Sequence, residues 1–189
     1  MSDRELIAAH VSGDTQAFAE LIHRHQRYLW RVAKRTSYCD EDAADALQEA
    51  MLSAFRMAAG YRADAAVRSW LHRIVVNSCL DRMRRNRVRP AIPLNASIVD
   101  HVGLVEGPHS GDDVAEAIDR ALMLLPAEQR AAVVTVDVEG YPVAEAAEVL
   151  GIPIGTVKSR CARGRLKLAE ILSEFHPERN RSAFPRVNT

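Results

Sequence analysis

Apolar residues recur at helical spacing in two blocks of this chain, and residues 95–113 between them lack any such pattern. In the first block the apolar stripes predict helices over residues 14–35, 40–59 and 65–87. In the second block they predict helices over residues 114–125, 127–138, 143–150 and 155–173. No segment has the strict alternation of a half-buried strand. The sequence therefore predicts an all-α fold of two small helical domains.

The segment between the blocks has the composition of a connection. Residues 95–113 contain Gly103, Gly107, Pro108 and Gly111, together with four acidic residues and no Lys or Arg. We therefore expect a flexible linker over residues 94–113, between a first domain of residues 5–93 and a second of residues 114–174. At about 3.3 Å per extended residue, this linker spans at most about 60 Å. Residues 175–189 are expected to form a disordered tail.

Composition narrows the class of protein further. The 189 residues are 48% hydrophobic, which is enough to form a core, but no stretch approaches the roughly 20 apolar residues of a membrane span. The N-terminal residues Asp3, Arg4 and Glu5 are not typical of a secretory signal. Cys39, Cys79 and Cys161 are scattered and form no CxxC pair. We expect a soluble cytoplasmic protein that has no disulfide framework, no metal site, no cofactor and no direct insertion into a membrane.

The net charge of zero conceals alternating charged blocks. The balance of basic over acidic residues is −3 for residues 1–55, +7 for 56–93, −9 for 94–153 and +5 for 154–189. Two basic blocks indicate two places where a polyanion could bind. The alternative, that the oppositely charged surfaces pair with each other, stays open.

The second block contains the pattern of a helix-turn-helix. Ala147 is a small residue suited to a helix crossing, Gly151 suits the turn, and Val157 suits the apolar anchor of the second helix. The segment after the turn contains basic residues and no acid: Lys158, Arg160, Arg163, Arg165 and Lys167. Residues early in this helix, Thr156, Lys158, Ser159 and Arg160, are candidates for base contacts, while Arg163 and Arg165 suit phosphates. The alternative is an ordinary basic surface helix.

The first block contains two polar patterns. Asp42, Asp45 and Glu49, with Gln48 beside them, lie opposite an apolar stripe and suit a basic protein partner, a divalent metal, or merely a solvated face. Further along, one helical face is predicted to carry Arg73, Asn77, Asp81 and Arg84, residue types that read base edges.

That second helix also has a cationic end suited to phosphates, formed by Arg82, Arg84, Arg85, Arg87 and Arg89. The loop before it, residues 60–66, is short and polar and could hold a base taken out of the stack. Trp70 lies on the same stripe as Leu71 and Ile74, so we expect it to pack in the core.

Four motifs, in order, resemble a known family. They are Asp42-Ala-Ala-Asp-Ala-Leu-Gln-Glu-Ala-Met, Ser69-Trp-Leu-His-Arg-Ile-Val-Val-Asn-Ser-Cys-Leu-Asp-Arg, Leu125-Pro-Ala-Glu-Gln-Arg and Gly155-Thr-Val-Lys-Ser-Arg. Together they resemble the extracytoplasmic-function (ECF) sigma factors of the sigma-70 family, the two-domain promoter-specificity subunits of bacterial RNA polymerase. The resemblance covers most of residues 5–173. It implies a non-enzymatic protein that directs polymerase to promoters and promotes DNA melting.

The resemblance also implies a division of labour among the candidate residues. Docking on the β′ clamp helices of core RNA polymerase would fall to Asp42, Asp45, Gln48 and Glu49. Reading of the −10 element would fall to Arg62, Arg73, Asn77, Asp81, Arg84 and Arg85. Reading of the −35 element would fall to Thr156, Lys158, Ser159, Arg160, Arg163 and Arg165. The implied partners are core RNA polymerase, through the β′ clamp helices and the β flap, promoter DNA and an anti-sigma factor.

The sequence departs from the family in one place and leaves rival functions open. Ile154-Gly155 opens the recognition helix without a side-chain N-cap, so Pro153 must position the turn. One rival is a stand-alone helix-turn-helix regulator that binds an operator without polymerase. The other is a metal-dependent nuclease that uses Asp42, Asp45 and Glu49 as ligands. We also hypothesise that the acidic segments suppress DNA binding until polymerase separates the domains.

Overall fold

The first block folds as four helices. The computed structural model describes residues 1–62, 66–88 and 111–175, and these residues form helices joined by turns, with no strand among them. The helices of the first block are α1 (Asp3–Val11), α2 (Ala17–Thr36), α3 (Asp40–Met57) and α4 (Val67–Val88). A 3₁₀ turn, Ala58–Gly60, follows α3.

The second block folds as four further helices. They are α5 (Gly111–Met123), α6 (Ala127–Val133), α7 (Val143–Leu150) and α8 (Ile154–Phe175). One turn of π-helix, Val134–Val138, continues α6. The predicted all-α class is therefore confirmed.

Three helix starts differ from the sequence-based expectation. The helix α1 was not predicted, although Ser2 and Glu5 form a capping box at its start. Asp40 was expected to cap α3, but the N-cap is Cys39, whose Sγ accepts a hydrogen bond from the Asp42 amide at 3.4 Å. The helix predicted from residue 114 begins at Gly111, inside the expected linker. Residues 94–110 of that linker, Pro90, Pro93 and the tail from residue 176 lie outside the described residues.

Small residues let the helices of the first block approach closely. The inner face of α3 consists of Ala43, Ala46, Ala50 and Ala54, and each of these is fully buried. Larger side chains of α2 and α4, such as Leu29 and Leu71, fill the space between the helices. Trp70 is half-buried against this core, as expected, with its ring 5.3 Å from that of Tyr61.

The helix-turn-helix has the geometry that the sequence predicts. Gly151 ends α7 with φ of +64°, a left-handed conformation that favours glycine. Ala147 and Val157 are buried where α7 and α8 cross. In the turn, the Pro153 carbonyl accepts hydrogen bonds from the amides of Thr156 (2.8 Å) and Val157 (3.1 Å), so backbone groups begin α8 without a side-chain cap.

The two blocks pack against each other, which the sequence did not predict. A single apolar cluster includes Leu71 and Val75 of α4 together with Ala146, Leu150 and Val157 of the second block. The short helix α7 contacts both α4 and α8 and lies between them. The described helices therefore share one core across the two domains.

Candidate nucleic-acid interface

The predicted base-reading row of α4 faces solvent. Arg73, Asp81 and Arg84 are exposed and Asn77 is partly exposed, while Leu71, Val75 and Cys79 on the other side of the helix are buried. Arg84 donates to Asp81 at 2.7 Å one turn away. Arg62, in the loop before α4, is also exposed, but residues 63–65 of that loop lie outside the described residues.

The predicted docking residues of α3 pair with arginines of α4. Arg82 Nε donates to Asp42 Oδ1 at 2.7 Å, and the Arg82 guanidinium also pairs with Asp45 and Glu49. Arg85 pairs with Glu49, and Asn86 donates to Asp42 at 3.1 Å. The Asp42 side chain is 19% exposed, whereas those of Asp45 and Glu49 are 55% and 41% exposed. The acidic face thus ties α3 to α4, and its outer edge consists of Asp45, Gln48 and Glu49.

The two predicted sites of the first domain meet in one open groove. A shallow depression of about 450 Å³ between α3 and α4 is lined by Glu49, Ser53, Ser78, Asp81, Arg84 and Arg85. Arg82 and Arg85 were both predicted to bind phosphate through a cationic end, and both are ion-paired with α3. Of the rest of that cationic end, Arg87 lies in the last turn of α4 and Arg89 lies outside the described residues.

The basic row of α8 is partly neutralised by its own domain. Lys158, Ser159 and Arg163 are exposed, Thr156 is partly exposed, and Arg163 Nε donates to the Ser159 carbonyl at 3.2 Å. Arg160 pairs with Glu128 at 2.6 Å, and Arg165 makes a two-point contact with Asp137. Within the described part of the chain, Lys158 has no hydrogen-bonding or ionic partner.

A buried arginine at the junction of the domains was missed at the sequence level. Arg130 of α6 has no exposed surface, and its guanidinium lies 4.2 Å from the Tyr38 ring centre. It donates to the carbonyls of Ser37 (2.7 Å) and Leu125 (3.3 Å). Burial lowers the pKa of Arg130. Its position in the Leu125–Arg130 motif was visible in the sequence, but its partner in the first domain was not.

A second buried polar cluster joins α2, α4 and the second domain. His72 Nδ1 lies 2.7 Å from the Tyr28 hydroxyl, and His72 Nε2 lies 3.2 Å from Thr135 Oγ1. Thr135 donates its own hydrogen to the Ala131 carbonyl at 2.8 Å, so it must accept from His72 Nε2–H. Tyr28 then donates to Nδ1 and accepts from Tyr141 at 3.2 Å. The neutral imidazole thus has a partner at each nitrogen.

The surroundings of His72 disfavour its protonated form. Burial, together with the nearby charge of Arg68, lowers the pKa of His72 to about 4. Burial likewise raises the pKa of Tyr28. A sequence signal for this cluster existed, because residues 71–80 of α4 are almost continuously apolar and His72 falls among them. A helix that is apolar on more than one side has more than one packing partner.

Ionic contacts surround this cluster on the side of the second domain. The Glu139 side chain is 5% exposed, and its carboxylate lies 3.4 Å from Arg68 Nη2 and 3.8 Å from Arg35 Nη1. Arg35 also pairs with Asp119 at 2.8 Å, and Ser69 donates to Glu145 at 2.9 Å. The Arg68 guanidinium lies 3.8 Å over the Tyr28 ring. Charged surfaces of the two domains therefore pair with each other.

The described residues offer neither a metal cluster nor a membrane span. Within residues 1–62, 66–88 and 111–175, no three His, Cys, Asp or Glu side chains are grouped so as to hold a metal ion. Asp42, Asp45 and Glu49, the ligands of the nuclease alternative, converge on Arg82 instead. None of the helices in these ranges combines the length and hydrophobicity that crossing a membrane requires.

Comparison with known families assigns both helical domains. Residues 21–89 match the family model of sigma-70 region 2, and residues 115–168 match that of sigma-70 region 4. These matches place α4 in region 2 and the helix-turn-helix in region 4. A chain that joins these two regions has the domain organisation of a sigma factor.

Whole-chain relatives identify the family. The chain is 56% identical over 173 residues to the ECF RNA polymerase sigma factor SigM of Mycobacterium tuberculosis, covering 90% of this chain and 85% of that protein. It is 36% identical to the ECF RNA polymerase sigma factor SigE of Mycolicibacterium smegmatis, covering 87% of this chain and 65% of that protein. The chain therefore belongs to the ECF RNA polymerase sigma factors.

Solved structures of related proteins have the same fold. One is the sigma factor RpoE in complex with the anti-sigma factor NepR from Bartonella quintana, with a TM-score of 0.64 and 25% identity over 84% of this chain and 98% of that one. Another is CnrH in complex with the cytosolic domain of CnrY, with a TM-score of 0.61 and 28% identity over 91% of this chain and 97% of that one.

Proposed function

We propose that this ECF sigma factor binds core RNA polymerase, directs it to promoters and promotes DNA melting, with separate surfaces for each contact. The region 2 domain comprises residues 5–93 and the region 4 domain residues 114–174, joined by the acidic segment 94–113. The observation that carries the proposal is that α4 and α8 each expose a row of polar and basic side chains on one face. A stand-alone regulator would use α8 alone and leave the row on α4 without a role.

Polymerase docking falls to the exposed edge of the α3 acidic face. Asp45, Gln48 and Glu49 are the accessible members, while Asp42 mainly holds Arg82 and Asn86. Carboxylates of which one side is already paired keep acceptor positions for a second basic partner. This edge therefore suits the β′ clamp helices, and Asp42 supports it from behind.

The −10 element falls to α4 and the loop before it. Arg73, Asn77, Asp81 and Arg84 supply both donors and acceptors along one exposed face, as base-edge reading requires. Arg62 in the loop suits a phosphate of the melted strand, and Arg85 can reach DNA by exchanging Glu49 for a phosphate.

The −35 element falls to the N-terminal half of α8. A recognition helix enters the major groove with its N-terminal residues at the base edges, which places Thr156, Lys158, Ser159 and Arg160 there. Arg163 and Arg165 follow one to two turns later and suit the flanking phosphates. Arg160 must exchange Glu128, and Arg165 must exchange Asp137, for DNA.

An anti-sigma factor and the β flap complete the expected partners. The two similar sigma-factor structures each contain an anti-sigma partner, which supports one for this chain as well. The chain itself acts without catalysis, in the cytoplasm, where polymerase and DNA are found.

Transcription in vitro tests the proposed function. Purified bacterial core RNA polymerase is assayed on a genomic fragment library with and without this chain. We expect discrete new start sites, which disappear in Asp45→Ala/Gln48→Ala together with at least a tenfold loss of affinity for core enzyme. Glu41→Ala, an exposed acid in the first turn of the same helix, is the matched control and should keep both activities.

The opposite result would favour the rival. If a control sigma factor initiates while this chain does not, and the free chain binds one duplex operator tightly and specifically, the chain acts as a stand-alone regulator.

A further inference from the structure

The closed arrangement of the domains cannot engage both promoter elements. Helix α7 lies between α4 and α8, and packed helix axes are about 8–10 Å apart, so the two readers lie within about 20 Å of each other. Elements about 17 base pairs apart are separated by about 58 Å of duplex. The domains must therefore separate before both readers can bind.

Acids of the region 4 domain occupy polar groups of region 2 in this arrangement. Glu139 contacts both Arg35 and Arg68, and Asp119 pairs with Arg35. Glu145 accepts from Ser69. All three acids belong to residues 94–153, the segment with a charge balance of −9. The acidity of that segment is thus directed at the neighbouring domain.

The groups that these acids occupy are suited to nucleic acid. Arg68 and Ser69 lie in the first turn of α4, directly after the loop proposed to hold the −10 strand. Guanidinium and hydroxyl groups at the start of a helix are the usual donors to DNA phosphates. An Arg–carboxylate pair uses the same donor geometry as an Arg–phosphate pair, so a carboxylate can take the place of a phosphate.

We propose that Arg35 and Arg68 are phosphate-binding residues for the promoter strand, and that Glu139, with Asp119 and Glu145, occupies them in the free protein in place of phosphate. This inference rests on the proposed function and adds residues and a mode of control to it. Separation of the domains on polymerase exposes the two arginines beside the −10 loop. The free chain then binds single-stranded DNA weakly because of this competition and not because it lacks cations.

The interface has the composition of one that can open. Its contacts include ion pairs at the edge and the hydrogen-bonded cluster of His72, Tyr28 and Thr135 within. Pairing of buried charges gains little net free energy, because desolvation offsets the attraction. Polar interfaces between domains accordingly allow relative motion more readily than large apolar ones.

Binding of single-stranded DNA by the full-length chain tests the proposal. The probe is a fluorescent 20-nucleotide single strand of randomised sequence, titrated between 50 and 200 mM NaCl. We expect Glu139→Gln to bind it about fivefold more tightly at 50 mM NaCl, with a salt slope steeper by about 0.7 for each arginine released. Glu148→Gln makes the same charge change on the exposed side of α7 and should match the parent chain.

A second set of variants assigns the gain to the proposed residues. Adding Arg35→Ala and Arg68→Ala to Glu139→Gln should abolish the gain in affinity. A gain equal to that of Glu148→Gln, or one that persists without the two arginines, overturns the proposal. If Glu139→Gln does not melt cooperatively, Asp119→Asn releases Arg35 at the exposed edge and must give a smaller gain in the same direction.

The outcome separates this inference from the function on which it rests. If Glu139→Gln leaves DNA binding unchanged while the parent chain initiates with core polymerase, the masking is wrong and the sigma function stands. If the parent chain does not initiate with core polymerase, the proposed function fails whatever the DNA-binding result.

Discussion

Gly164 lies where α8 comes closest to α6. A Cβ atom built on Gly164 would lie 2.7 Å from Cγ2 of Val133, a distance that real Cβ atoms do not show. The side chain of Val133 is buried and cannot move away freely. In this helix a glycine is therefore kept for close packing, although glycine disfavours helix by about 1 kcal/mol relative to alanine.

The change Gly164→Ala should lower the free energy of unfolding by about 1–2 kcal/mol, because overpacking outweighs the gain in helix propensity. Urea denaturation measures the effect. In a Val133→Ala background the same change should become neutral or stabilising, since the clashing methyl group is gone. Gly155→Ala, where a Cβ meets nothing within 4 Å, is the control without a clash. Stabilisation by Gly164→Ala in the parent chain would contradict the packing argument.

Single residues differed in how far the sequence could predict them. The row Arg73, Asn77, Asp81 and Arg84 follows from helical periodicity alone, so its common exposed face was predictable. The packing role of Gly164 was not, because it depends on which residue of another helix lies opposite. The N-cap Cys39 was also missed, because sulfur is not among the usual capping groups.

Helices α3 and α4 are joined by charge as well as by apolar packing. Arg82 sits between three carboxylates of α3, and Arg85 and Asn86 extend the contact toward the end of α4. The sequence placed the acids on one helix and the arginines on the next but left open whether they face each other or separate partners. In the folded chain they face each other, and only the outer edge of each set remains available.

Arg82→Ala should lower the free energy of unfolding by about 1–2 kcal/mol, because three neighbouring carboxylates then repel one another without a shared cation. The loss should shrink in 1 M NaCl, where the screening length falls to about 3 Å. Arg84→Ala is the matched control, since this exposed arginine pairs with Asp81 of its own helix and should change stability by less than about 0.5 kcal/mol. Equal losses for the two variants would mean that the network contributes nothing beyond an isolated surface pair.

Across the whole molecule, buried polar side chains hold the two domains together. Arg130 of the second domain donates to the Ser37 carbonyl of the first, and His72 of the first contacts Thr135 of the second. Each of these buried side chains has no exposed surface. Because such groups are costly to leave without partners, the closed arrangement is specific as well as reversible.

Stability should depend on pH through His72. Its pKa is lowered to about 4 in the folded chain from 6.5, so between these values the unfolded chain binds a proton that the folded chain does not. The contribution is complete above pH 6.5, is lost as the pH falls toward 4, and amounts to about 3 kcal/mol. Urea titrations from pH 7.5 to 4.5 should therefore show a smaller loss for His72→Gln than for the parent chain. His23→Gln, an exposed histidine, should keep the parent's slope; a parallel slope for His72→Gln would contradict this assignment.

The sequence by itself determined the helices, the two domains and the residues that each domain exposes. Periodicity, Gly151 and Pro153 specify local structure, and the four motifs specify the family, because both depend on residues near one another in the chain. The tertiary structure alone decided which charges are paired. Whether Glu139 meets Arg68, Asp42 meets Arg82 or His72 meets Thr135 depends on how distant segments pack, and spacing along the chain carries no information about that. Contacts across the domain interface therefore had to be observed in the folded chain.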